Sequence, residues 1–367
     1  MAEMMQSEKS GGVHVADQIQ QMPKVQLHDH LDGGLRPETI LELADAQGVA
    51  LPESDPSALG EWFFRGAAQG DLPKYLEGFA VTTAVMQDEE SLKRIACEHV
   101  EDLSRDGVIY GEIRFAPVLH TAGGLSMEQV LEAVLEGVRI GSESTGTVAR
   151  IIVCSLRHMD PAISLDSAKV AVQFRDRGVV GFDLAGDESG HPPADHNDAF
   201  QFLRQKNFNI TIHAGEAFGL SSIWQAIQHC GAHRIGHATR LVEDDTVPGD
   251  HRGTLGEYIL DHRIPLEMCL SSNLHTGAVT DLKAHPFPRY LREGYRVALN
   301  VDNTLMSKTT LTREWELARD LFSLDLQDFE RIAINGVKGA FCEHSLRKTL
   351  IQDQIVPRFR ALQGDAS

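Results

Sequence analysis

Two histidines one residue apart, His28 and His30 in VQLHDHLDG, open the chemical content of this 367-residue chain. In an extended strand, residues i and i+2 share a face, so both imidazoles project the same way and can converge on one ion. Asp32 continues the alternation. Further along, HAGE offers His213 as a ligand and Glu216 as a nearby acid or base. Gly215 between them permits a sharp turn. His237 in RIGHAT adds an imidazole, and Asp302 in LNVDN adds a carboxylate. Neutral imidazoles with carboxylates suit zinc or another borderline first-row divalent ion. Such an ion makes water a usable nucleophile by lowering its pKa to about 7.

Each of these residues ends a short, apolar, β-branched run. The runs are residues 25–31, 108–117, 150–157, 179–186, 209–216, 234–238, 265–273 and 296–303. Stretches with helical spacing of apolar positions lie between them, among them 126–140 and 198–206. Eight strands alternating with helices, with polar residues at strand after strand end, predict a (β/α)₈ barrel with its chemistry at the carboxyl face. A doubly wound sheet would converge only a few strand ends. Residues 33–107 are far too long for a simple connection and are expected to form a helical lid over the barrel mouth. Within them Leu72, Tyr75, Leu76 and Phe79 follow the i, i+3, i+4, i+7 spacing of one helical face.

Composition narrows the field. The chain has 34 Lys+Arg against 53 Asp+Glu, a net charge of -19, which disfavours a nucleic-acid binder. It has no apolar run long enough to span a membrane. Residues 1–21 lack the pattern of a secretory signal and are expected to be a flexible tail before one barrel domain, 22–367. Five cysteines without a C-x-x-C pair read as small core hydrophobes in a reducing, cytoplasmic compartment.

MPKVQLHDHLDG, DLAGDE, HAGE, RIGHAT, the SSN…TGAV segment and ALNVDN, in this order, resemble the adenosine deaminase family over nearly the whole chain after residue 21. The resemblance implies a metal-dependent hydrolase on a distorted (β/α)₈ barrel. It would turn adenosine and 2′-deoxyadenosine into inosine and 2′-deoxyinosine with release of ammonia. By the same resemblance His28, His30, His213 and Asp302 hold one Zn²⁺ per subunit, and Glu216, His237 and Asp302 are catalytic. The purine nucleoside would meet His30, Asp32 at the ribose, the backbone of Gly186, Asn303, and a lid face of Leu72, Tyr75, Leu76 and Phe79. The chain departs from the family at Asn303, where members usually carry a second aspartate that hydrogen-bonds purine N7. N7 is an acceptor, so an aspartate must be protonated to donate to it, whereas an amide donates at any pH.

Rival readings keep the chemistry and change the substrate to free adenine or a 5′-modified adenosine. A two-metal amidohydrolase would need a bridging lysine, and no lysine ends a strand run. The H-x-E…P-C-x-x-C signature of nucleic-acid deaminases is absent. A catalytically silent binding protein would have lost a ligand or Glu216. Glu112, Arg114, Arg157 and His158 are expected to form a buried ion network beneath the site. His120, His191, His196, His229 and His233 read as surface or helix-cap residues, and His275 has no assigned role.

Overall fold

The eight runs become eight parallel strands in the computed structural model, which describes residues 18–246 and 252–364. The first four are long: β1 (Lys24–His30), β2 (Val108–Phe115), β3 (Val148–Leu156) and β4 (Val179–Ala185). The last four are short: β5 (Thr211–Ala214), β6 (Arg234–His237), β7 (Leu266–Met268) and β8 (Val297–Leu299). They pair in order as β1–β4 and β5–β8. Single bridges close the ring, Phe182 to Ile210 between the two sets and Asp29 to Asp302 back to β1. His30 N–H donates to the Asp302 carbonyl at 2.8 Å, and Asp302 N–H to that of His28 at 2.9 Å. The barrel seam therefore joins the backbones that carry the expected ligands.

Local chemistry explains most boundaries. Helix Met127–Thr145 starts at a capping box between Ser126 and Gln129 and stops where Gly146 turns left-handed at φ 79°. Helix Asn197–Gln205 lies within one residue of its expected span. Only a third of the run at 265–273 is strand, because Leu270, Ser271, Ser272 and Asn273 belong to a short helix, Leu270–His275. The lid face is likewise not one helix. Leu72–Glu77 and Phe79–Ala84 are separate turns broken at Gly78, where a Cβ would stand 2.9 Å from Met306 Sδ.

The tail expectation needs trimming at its inner end. Residues 1–17 lie outside the described residues, but Ile19–Gln21 form a 3-10 turn with Ile19 fully buried. Cys154, Cys230 and Cys269 are buried and all five cysteines are free. Among the described residues no helix is long and apolar enough to cross a membrane.

Candidate active site

At the carboxyl ends of the strands, one donor atom from each of His28, His213, His237 and Asp302 lies within 4.8 Å of the others. His30 joins them at the edge. Its Nε2 is 3.2 Å from His213 Nε2 and 3.3 Å from Asp302 Oδ1. Asp302 Oδ1 is also 3.3 Å from His28 Nε2, while Oδ2 accepts a 2.6 Å bond from Ser272. The backbone is bent to aim these groups. His237, Ala238 and Asp302 have φ of 67°, 53° and 70°, left-handed values that non-glycine residues rarely adopt. Each costs about 1–3 kcal/mol, which the closed barrel must hold in place.

The imidazoles are oriented from behind. His28 Nδ1 bonds Glu267 at 2.8 Å and His213 Nδ1 bonds Asp183 Oδ1 at 3.2 Å. A carboxylate only accepts, so each Nδ1 carries the proton and each Nε2 offers a lone pair to the cluster. His28 Nε2 is buried without a hydrogen-bond partner among the described residues. A bound cation would satisfy it, and the donor set of imidazoles and one carboxylate fits a first-row divalent metal. Arg114 ties the two carboxylates together, 2.8 Å to Asp183 and 2.7 Å to Glu267. Arg234 extends the chain to Glu112 at 2.6 Å. Burial alone would raise the Asp302 carboxyl; the close approach of the His28 ring, and then of His30 and His237, instead holds it well below the ordinary range.

Glu216 sits across from this cluster. Its Oε2 is 3.6 Å from His237 Nε2, and its Oε1 accepts from Thr276 at 2.9 Å. Burial first, then the negative charge of Asp302, lifts its pKa to about 8. Burial also keeps His237 well below its usual range, hence neutral. The loop bearing Glu216 is clamped by Glu188, whose carboxylate accepts four consecutive backbone N–H groups. These come from Gly215 (2.7 Å), Glu216 (2.9 Å), Ala217 (2.6 Å) and Phe218 (2.9 Å).

A cavity of about 250 Å³ opens above these groups. Its wall runs from Leu72, Tyr75, Leu76 and Phe79 to Cys154, Ala185 and Gly186, with Asp32 and Asn303 between. Burial raises the Asp32 carboxyl to about 7. Asn303 Oδ1 is pressed against Gly33, where a Cβ would stand 1.7 Å away. A wider groove of about 930 Å³ on the far side of β1 has charges that are already paired, such as Arg36 with Asp102 at 2.8 Å.

Comparison with known proteins matches residues 23–356 to the family described as adenosine deaminase. The adenosine deaminase of Mycolicibacterium gilvum is 48% identical over 357 residues, covering 95% of this chain and 98% of that protein. Adenosine deaminase 1 of Streptomyces coelicolor is 47% identical, covering 95% and 90%. The chain belongs to the adenosine deaminase family. Among solved structures, the adenine deaminase of Arthrobacter aurescens is similar with a TM-score of 0.83 at 26% identity, covering 91% of this chain and 98% of that one. The N6-mAMP deaminase of Arabidopsis is similar at 0.80 and 26%, covering 94% and 99%.

In this adenosine deaminase family member every expected cavity residue lines the one cavity, and His28 stands just beneath it. The expected ion network holds for Glu112 and Arg114. Arg157 is buried but serves the carbonyls of His191 and His213, and His158 is an exposed rim residue of the cavity. His120 and His196 are not at the surface, although His196 does occupy the N-cap position of helix Asn197–Gln205. Both are buried, His120 bonded to the Met86 carbonyl and His196 to Ser164 and the Arg157 carbonyl. Glu188, Glu267, Asn273 and His285 are the residues the sequence reading missed. Glu188 was within sight, as the last residue of DLAGDE.

Proposed function

We propose that this chain catalyses hydrolytic deamination of adenosine and 2′-deoxyadenosine, releasing ammonia. The observation that carries the reading is a buried Glu216, its pKa lifted to about 8, facing His237 and the His28–His213–Asp302 cluster across the floor of one small cavity. His28, His30, His213 and Asp302 would hold one Zn²⁺. When bound, such an ion supplies a water acidic enough to serve as nucleophile near neutral pH.

The remaining work falls to side chains. Glu216 donates its proton to purine N1 and so makes C6 electron-poor. Asp302, ionised and fixed by Ser272, accepts a hydrogen bond from the attacking water. His237 orients that water and stabilises charge as the oxygen adds to C6. The proton that the water gives up on attack passes to the amino group, the C6–N bond breaks as ammonia leaves, and the remaining hydroxyl proton returns to Glu216 as the C6 carbonyl forms. Leu72, Tyr75, Leu76 and Phe79 act as a lid that excludes water from the reacting centre. Asp32 meets the ribose and the Gly186 backbone the purine.

The cavity wall also separates the rivals. Among its lining residues there is no lysine or arginine, while Asp32, Glu216 and Asp302 are acids. A 5′-phosphate would meet no compensating cation there, so a nucleoside is favoured over a nucleotide. The test is kcat/KM for adenosine, 2′-deoxyadenosine, adenosine 5′-phosphate and adenine with one zinc-loaded preparation. The two nucleosides are expected to lead by at least about tenfold, about 1.4 kcal/mol. A lead for adenine or the phosphate would overturn the assignment.

Asn303 gives a prediction about pH. With its amide donating to N7, KM has no ionisation at this position. In Asn303→Asp only the protonated carboxyl donates, so the variant-to-parent KM ratio is expected to grow as pH rises past the new carboxyl's pKa. A ratio constant from pH 5 to 9 would remove the N7 contact.

A further inference from the structure

Behind His237 runs a chain of three hydrogen bonds whose direction can be read from one end. Phe287 N–H, at the start of helix Phe287–Glu293, donates to His285 Nδ1 at 3.1 Å. A backbone N–H can only donate, so His285 Nδ1 is an acceptor and carries no proton. The neutral ring must then carry its proton on Nε2, which stands 3.1 Å from Asn273 Oδ1. That fixes the amide, because the opposite orientation would set two donors against each other. Asn273 Nδ2 consequently donates to His237 Nδ1 at 2.9 Å. His237, His285, Asn273 and Phe287 are all buried, so water does not scramble the pattern.

We infer that His285 and Asn273 are positioning residues that fix His237 as the tautomer protonated at Nε2, turning that N–H toward the reacting centre. His237 Nε2 is buried and has no hydrogen-bond acceptor of its own among the described residues. It faces Glu216 Oε2 at 3.6 Å and lies beside His28, His213 and Asp302. A nitrogen bearing a proton has no lone pair for an ion. His237 is therefore a hydrogen-bond donor rather than a metal ligand, despite lying within the same 4.8 Å group. The ligand set proposed above, His28, His30, His213 and Asp302, is consistent with this tautomer. His28 and His213, whose Nδ1 atoms face carboxylates, have the opposite tautomer. The side chains behind the three rings thus sort them by chemistry: a carboxylate makes a ligand, and an amide makes a donor.

The tautomer stands on geometry alone; its part in the reaction rests on the deaminase reading. The test is ¹⁵N NMR of zinc-loaded protein labelled at histidine, with the His237 signals located by their loss in His237→Asn. The expected parent spectrum shows His237 protonated at Nε2 and bare at Nδ1. Asn273→Asp presents only acceptors, so it is expected to move the proton to Nδ1 and to lower kcat about 100-fold with KM within about threefold. His285→Gln keeps both an acceptor for Phe287 and a donor for Asn273, and is expected to retain the parent tautomer and most of kcat. His285→Leu is expected to lose both, and this pair decides the matter where Asn273→Asp does not fold. A parent His237 protonated at Nδ1, or equal behaviour of the Gln and Leu variants, would overturn the relay. The parent tautomer in a protein that does not deaminate adenosine would instead overturn the reaction and leave the relay standing.

Discussion

Glu216→Gln is expected to lower kcat for adenosine by about 10²- to 10⁴-fold, the range seen when a positioned acid is removed. Glutamine is close in shape. It can still accept the Thr276 hydroxyl bond, and Glu188 still clamps the loop through backbone N–H groups that the substitution leaves alone. Tm should therefore move by no more than a few degrees. An amide can hydrogen-bond N1 but cannot deliver a proton to it, so kcat carries the loss rather than KM. The same residue sets one limb of the parent's pH profile. A carboxyl lifted to about 8 stays protonated at neutral pH, and the rate is expected to fall as pH rises through its ionisation. The limb should vanish in the variant. A variant within threefold of the parent would mean that N1 is protonated by another group.

Metal removal is the second large effect. A protein stripped by a strong chelator is expected to lose at least about 10³-fold in turnover, since the remaining side chains have no nucleophile of adequate strength at pH 7. Zn²⁺, Co²⁺ or Mn²⁺ should restore it, with one ion bound per chain, because all offer compatible coordination to imidazole and carboxylate. Stability is expected to follow. An ion that binds only the folded protein adds about 2.7 kcal/mol when present at a hundred times its Kd. Its loss also leaves the clustered lone pairs of His28 and His213 facing one another. Full activity in chelated protein verified as metal-free by elemental analysis would contradict the ligand assignment.

Much of this site was legible because its residues are tied to local pattern. His28 and His30 follow strand alternation, and β1 spans Lys24–His30. His213, His237 and Asp302 end apolar runs, and strand ends of a parallel barrel converge on one face. What the pattern could not show depends on long-range partners. Glu267 bonds His28 across 239 residues of chain, and His285 reaches His237 only through Asn273. Buried His120 and His196 resemble surface histidines in sequence, because their burial is decided by Met86 and Ser164 rather than by their neighbours. The helical spacing at Leu72, Tyr75, Leu76 and Phe79 brought the right side chains to the cavity even though Gly78 breaks the helix. Spacing records a shared face, and two consecutive turns can preserve it.

The most direct measurement is ammonia released from adenosine by the purified, zinc-loaded protein at pH 7, run beside Glu216→Gln. Fast release of one ammonia per inosine formed, lost in the variant, is the expected result. Folded, metal-replete parent protein that releases none would contradict adenosine deamination outright.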